Sequence, residues 1–310
     1  MRKLFLTRKI TCHRSSMDEI DLIFWQKLSV NSRLTYRELA EMIDMSVSTV
    51  HKRIKRLEED GIITAYIARP SILALNCLAV VIYGTSNARS MEAVSKELGQ
   101  HENILSIAIA SGKFLYISAI VRNISELQDY SSSVSRTAQI SDPTIGIVNL
   151  PYTSFPEPLT GIDYKILKSL NRDARKPIID IADDTGLSAK TVRKHLDRMI
   201  ENNLASFSIE WTPLYKDSFV TVFHIDLNEG TDMNSIIKHF YDKYSQNIIF
   251  CAGFSNIPNL ILLETWSRTA RDSQLILEEL QTEGFKDVIP HIFLSIGWYE
   301  CWIDQLLRTK

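Results

Sequence analysis

The sequence predicts an α+β chain of two tandem units, each a winged helix-turn-helix followed by a ferredoxin-like βαββαβ domain. Three observations carry that reading. The chain aligns with itself at an offset of 142 residues; each half opens with three short helical segments and a strand; and the remainder of each half reads β-α-β-β-α-β.

The repeat comes first because it sets the frame. Asp21–Ile67 lies on Asp163–Ile209 without a gap, and 11 of the 47 positions are identical. Ordinary composition gives roughly 3 by chance. The identical pairs are Asp21/Asp163, Leu28/Leu170, Arg33/Arg175, Ala40/Ala182, Ser46/Ser188, Thr49/Thr191, Val50/Val192, Lys52/Lys194, Arg56/Arg198, Glu59/Glu201 and Ile67/Ile209. Between the halves, Pro151, Pro156 and Pro158 stand close together and predict a stiff, extended linker over 151–162. Residues 1–16 have no counterpart and are read as a flexible extension, or as an overlong start with Met17 as the initiator. The divisions that follow are a first winged helix over 17–69, a ferredoxin-like domain over 70–150, a second winged helix over 163–212 and a second ferredoxin-like domain over 213–310.

Each element has a local cause. Ile20, Ile23, Phe24 and Leu28 recur at helical spacing. Thr35-x-x-Glu38 is a capping box for a helix that buries Leu39, Ala40 and Ile43. Asp44-Met45 is a tight turn, Ser46 an N-cap for Val47–Glu59, and Gly61 the stop. Ile62–Ile67 has strand composition. Further on, Cys77–Tyr83, Ile104–Ala110, Phe114–Val121 and Thr144–Asn149 read as strands, with helices at Met91–Leu98 and from the Asn123 cap to about Arg136. The second half repeats the order with Phe219–Leu227, Met233–Tyr244, Ile248–Ala252, Asn259–Trp266, Thr269–Gln281 and His291–Ile296. Trp298–Leu307 is expected to form a last amphipathic helix, with Trp298 and Trp302 packed on their own sheet.

The third helix of each winged unit carries the candidate chemistry. At 100° per residue, Val50, Ile54 and Leu57 share the core face, so Ser48, Lys52 and Lys55 point away, with Thr49, His51 and Arg56 on the flanks. Lys52, Arg53, Lys55 and Arg56 sum to +4 with no acid between Ser46 and Leu57. A helix of this kind enters a major groove with its N-terminal side chains at base edges and its cations on phosphates. A basic face that is simply solvated is the bland alternative, which the preceding cap, turn and second helix weigh against. The expected DNA-binding residues are Ser46, Ser48, Thr49, His51, Lys52, Arg53, Lys55 and Arg56. Those of the second copy are Ser188, Lys190, Thr191, Arg193, Lys194 and Arg198. Asp197 replaces Lys55 and lowers the second sum to +3, so the second helix is expected to be the weaker reader.

The run D-x-x-D…L…NSRLTYRELA…MSVSTVHKRIKRLEEDGII resembles the signature of the leucine-responsive regulator/AsnC (Lrp/AsnC) family of prokaryotic transcription factors. Asp18, Asp21, Leu28, Arg33, Leu39, Ala40, Ser46, Ser48, Thr49, Val50, Arg53, Leu57, Gly61 and Ile63 stand where that pattern places them. The resemblance implies a regulator that binds double-stranded DNA and pairs through its βαββαβ domains, as an intrachain pseudo-dimer, a homo-oligomer or both. Two non-identical readers on one chain imply an asymmetric operator, with half-sites one helical turn or more apart, roughly 34–36 Å per turn. Relatives that sense amino acids carry an acid soon after the hairpin glycine. Here Gly112 is followed by Lys113-Phe114-Leu115-Tyr116 and Gly253 by Phe254-Ser255-Asn256-Ile257. That argues against a free amino acid as effector and leaves any small-molecule effector unassigned.

Composition agrees with a globular protein that is not an enzyme. The chain has 310 residues, 45% hydrophobic and 23% charged, with net charge −2, so any polyanion signal is local. No apolar run reaches bilayer length and the N-terminal apolar stretch is too short for a secretory signal, so no membrane partner and a cytoplasmic location are expected. Four scattered cysteines, seven histidines without H-x-x-x-H spacing, and no glycine-rich phosphate loop predict no metal, no cofactor and no catalytic residues. Two alternatives share the architecture: a sirohaem decarboxylase-like enzyme and a co-regulator that pairs without binding DNA. Against the enzyme, ENILSIAIASGKFLYISAIV and NIIFCAGFSNIPNLILLETW, the second and third strands of the two domains, carry no histidine or arginine.

Overall fold

The computed structural model describes residues 17–150, 157–212 and 218–309. The predicted extension 1–16 and the first half of the predicted linker, 151–156, lie outside them. The first winged unit consists of α1 (Glu19–Val30), α2 (Tyr36–Met42), α3 (Val47–Glu59) and β1 (Ile63–Pro70). Its sheet domain follows as β2 (Leu78–Thr85), α4 (Met91–Leu98), β3 (Ile104–Ala110), β4 (Phe114–Val121), α5 (Ile124–Ala138) and β5 (Thr144–Ile147). The second winged unit is α6 (Gly161–Leu170), α7 (Ile178–Thr185), α8 (Ala189–Glu201) and β6 (Ala205–Trp211). Then come β7 (Phe219–Asp226), α9 (Met233–Lys243), β8 (Ile248–Phe254), β9 (Ile257–Ser267), α10 (Ala270–Thr282), β10 (Asp287–Trp298) and α11 (Trp302–Thr309).

The caps sit where the sequence places them. Thr35 and Glu38 close a reciprocal capping box, and the hydroxyls of Ser46 and Ser188 accept from the amides of Thr49 and Thr191. Backbone conformation repeats too. Asp44 and its equivalent Gly186 share a positive φ (54° and 68°), as do Gly61 and Asn203 (72° and 52°). Both units thus make the same turn before, and the same stop after, their third helix.

The two halves pair through their backbones. The wing strands β1 and β6 run antiparallel from Ile63↔Trp211 to Pro70↔Ala205. The remaining strands make a four-stranded sheet in each domain, and the two sheets join in the continuous order β5-β2-β4-β3-β10-β7-β9-β8 because the second strand of the first domain (β3) pairs with the fourth strand of the second (β10). The reciprocal pair, β5 and β8, meets at the far ends. Val148 bridges Phe254, the Asn149 amide donates to Gly253 O at 2.9 Å and the Ser255 amide to Ile147 O at 2.9 Å. A Cβ on Gly146 would lie 2.3 Å from the Phe254 ring, so that seam needs glycine. Both open edges are thereby covered.

Side chains bind the halves as well. Arg33 donates to the carbonyls of Ala174 and Lys176, and Arg175 returns across the seam to Leu34 O at 3.0 Å. Arg175 also lies over the rings of Tyr36 and Tyr66. A buried ion cluster locks the C-terminus: Arg69 of β1 meets Asp304 of α11 at 2.7 Å and Glu210 of β6 at 3.1 Å. The predicted last helix is therefore shorter than expected. Trp298 belongs to β10, where the bond from its Nε1 to Trp211 O at 2.8 Å ties it to the second wing, while Trp302 donates to Ile120 O at 2.9 Å. The two tryptophans do not share a helix face.

Candidate nucleic-acid interface

In α3, Val50, Ile54 and Leu57 are buried, and Ser46, Ser48, His51, Lys52 and Lys55 are exposed. Ser46 Oγ lies 3.0 Å from Ser48 Oγ and 2.7 Å from Thr49 Oγ1, forming a hydroxyl cluster at the helix N-terminus. His51 stands edge-on to Tyr36 of α2, with centroids 5.0 Å apart. The hydroxyls of Ser46 and Ser48 and the lysines Lys52 and Lys55 are thus all open to solvent on the same helix.

The arginines face elsewhere. Arg53 Nη1 reaches Asp18 at 2.8 Å and Asp21 at 3.0 Å, and Arg56 pairs with Asp21, whose side chain is fully buried. In the second unit Arg198 pairs with the equally buried Asp163 at 2.6 Å, and His195 Nδ1 lies 2.7 Å from it. Burial alone would push the Asp163 carboxyl up. Hydrogen bonds from the Thr160 amide, His195, the Thr160 hydroxyl and Arg198 outweigh it and hold that carboxyl below its ordinary value. Arg53, Arg56 and Arg198 thus fasten the third helix to the first helix of their unit, a partnership their expected role as phosphate contacts did not include. A helical-wheel argument places them near the exposed face but cannot see a carboxylate arriving from another helix.

With the paired arginines left out, the two charge sums become equal, at +2 each, Asp197 included. On α3 the cations left free of buried partners are Lys52 and Lys55, and Lys55 sits 3.6 Å from Glu59 in an exposed pair. On α8, Lys190, Arg193 and Lys194 are all exposed, beside the exposed Asp197. Ser188 Oγ lies 2.9 Å from Thr191 Oγ1, repeating the hydroxyl cluster. The premise for ranking α8 second, its smaller charge sum, does not hold once partners are counted.

The sequence reading missed a second cluster, between the sheets. Tyr116 Oη lies 2.6 Å from His224 Nε2, and His224 and His291 have ring centroids 4.8 Å apart. Burial pushes His224 down to about 3, with His291 adding to the effect, and burial lowers His291 too. Both are neutral at pH 7. They stand on the first and fourth strands of the second domain, β7 and β10, where a search of second and third strands finds nothing. Among the described residues no group of acids, histidines and cysteines is arranged to hold a metal ion, and no helix is long and apolar enough to cross a membrane.

A winged helix-turn-helix DNA-binding family model matches residues 28–64 and again 159–204. An uncharacterised HTH-type transcriptional regulator of Pyrococcus furiosus is 31% identical over 121 residues, 38% of this chain and 82% of the relative. The HTH-type transcriptional regulator LrpA of Pyrococcus horikoshii is 30% identical over 119 residues, 38% of this chain and 84% of its own. Among solved structures, the siroheme decarboxylase NirDL covers 94% of this chain and 98% of its own at a TM-score of 0.60, with 12% identity. That likeness is one of fold, over both tandem units.

Proposed function

Because the chain belongs to the Lrp/AsnC family of winged helix-turn-helix transcriptional regulators, we propose that it presents two different reading helices, α3 and α8, to one asymmetric operator in double-stranded DNA. The observation that carries this reading is the doubled construction. Each third helix has the same hydroxyl cluster at its start, the same left-handed turn before it and a free cationic face, while β1 and β6 pair so that one chain holds both helices. Lys52 and Lys55 on one side, and Lys190, Arg193 and Lys194 on the other, meet phosphates. Ser48 and His51 on α3 stand nearest base edges. The βαββαβ domains hold the pair together.

Fluorescence anisotropy of the full chain on labelled upstream DNA, from about 50 to 200 mM salt with competitor DNA, tests this. Binding that is steeply salt-dependent, survives competitor and protects two unlike half-sites in a footprint supports it. Flat or absent binding overturns it and favours a pairing co-regulator. The decarboxylase reading has the likeness of fold in its favour and the chemistry of the interior against it. A carboxylate-rich tetrapyrrole requires cations, whereas the described residues around the space between the sheets include no lysine or arginine and do include the carboxylate of Glu264.

A further inference from the structure

A cavity of about 260 Å³ lies between the sheets where the first winged unit meets them. Its walls are aromatic: Trp25 from α1, Trp211 from β6, Tyr116 from β4, Phe250 from β8, and Phe293 and Trp298 from β10. Trp25 and Trp211 have ring centroids 4.2 Å apart. Phe250, 39% exposed, carries the lining out to solvent. Among the described residues one acid faces this space, Glu264 of β9, opposite Val222 and Phe250 in the strand register. No hydrogen bond or ion pair holds its carboxylate among the described residues. It is half-buried in the cavity wall, and that burial pushes its carboxyl up to about 7. The indole Nε1 of Trp25 is likewise buried without a hydrogen-bond partner.

A carboxylate set in an aromatic cavity wall without a counter-charge is costly, and a fold that keeps one has a use for it or a partner for it. The surroundings specify the partner. Rings of tryptophan, phenylalanine and tyrosine stabilise an organic cation through their faces and bury an apolar body. An anion would meet Glu264, and a neutral apolar molecule would leave that acid uncompensated. The volume lies just under the usual range of small-molecule sites, roughly 300–1,000 Å³, so the occupant is of the order of ten non-hydrogen atoms.

We propose that this cavity is a binding site for a small organic amine, its ammonium paired with Glu264 and its apolar body held among Trp25, Trp211, Trp298 and Phe293. The carboxylate that the two hairpin loops lack is thus supplied from the interior of a strand, at a place where the ligand touches a reading unit and both sheets at once. The inference stands apart from the DNA reading, because binding is measured without DNA.

The test is calorimetry of the full chain with three molecules of nearly equal shape: 2-phenylethylamine, 2-phenylethanol and 3-phenylpropionate. Indole fluorescence provides a second readout from the cavity walls. The amine is expected to bind at least about tenfold tighter than the alcohol, and the acid not at all. In Glu264→Gln, which keeps the shape, amine and alcohol should bind alike. An amine that binds no better than the alcohol, an amine preference that survives Glu264→Gln, or no amine binding at millimolar concentration each overturns the proposal. The comparison of amine with alcohol on the unaltered chain decides the matter even if the variant does not fold.

Discussion

Replacing Lys190, Arg193 and Lys194 with alanine should flatten the salt dependence of DNA binding more than replacing Lys52 and Lys55. The magnitude follows from which cations are free. Each phosphate contact contributes about 0.9 to the slope of log affinity against log salt. Three contacts on α8 therefore account for about 2.7 of that slope and two on α3 for about 1.8. Between 50 and 200 mM salt those slopes correspond to roughly 40-fold and 12-fold changes in affinity. The control is Arg56→Ala or Arg198→Ala. These guanidiniums hold buried Asp21 and Asp163, so their loss should lower the melting temperature and leave the slope nearly unchanged. The assay is anisotropy on one labelled operator at six or so salt concentrations, with thermal unfolding alongside. A steeper loss for the α3 pair, or a slope change in Arg56→Ala as large as for a lysine, would refute the reasoning.

Three further outcomes follow from the packing. Asp304→Ala strips Arg69 of its closer partner in a buried cluster; it should cost about 3 kcal/mol in urea unfolding and release α11 to proteolysis. Gly146→Val drives a side chain into the Phe254 ring; it should destabilise by about 1–3 kcal/mol and speed amide exchange at Asn149 and Ser255, on the β5–β8 seam. Glu264 makes stability fall with pH. Its folded carboxyl titrates near 7 and an unfolded one near 4.3, so the folded state holds the proton longer and loses on the order of 3 kcal/mol as pH rises between those values. His224 slopes the other way, gaining stability as pH rises from about 3 to 6.5, so the diagnostic is the difference between wild type and Glu264→Gln in chemical unfolding across pH 4–8. A difference that does not change with pH would show that Glu264 is ionised throughout.

What was legible in the sequence is what local chemistry determines. Caps, turns and the strands Ile104–Ala110 and Phe114–Val121 lie where expected because each rests on residues a few positions apart. The partners of charged groups were not legible, since they come from distant segments: Asp21 reaches Arg53 and Arg56 across 32 and 35 positions, and Arg69 reaches Asp304 across 235. The same holds for the interior. Glu264 reads as an ordinary charged residue in an apolar strand, LILLETW, and only the closing of one sheet on the other turns it inward. An acid on the inward-pointing alternation of a strand was the available signal. Register across the sheet, which decides its company, was not.

The eleven identities between the halves acquire a meaning once they are placed. Leu28/Leu170, Ala40/Ala182, Val50/Val192 and Ile67/Ile209 are buried. Ser46/Ser188 and Thr49/Thr191 form the caps, Asp21/Asp163 and Arg56/Arg198 the internal ion pairs, and Arg33/Arg175 the reciprocal bonds across the seam. Lys52/Lys194 and Glu59/Glu201 remain as identities on exposed surface. Everywhere else on the outward face the copies differ: Ser48 against Lys190, His51 against Arg193, Lys55 against Asp197. The shared residues are those that build and pair the units; the divergent ones are those a duplex would meet. Two separate copies of one chain must present the same face twice, whereas a fused pair is free to present two. A shared lysine beside unshared neighbours is the pattern expected of a reader whose two half-sites differ in sequence.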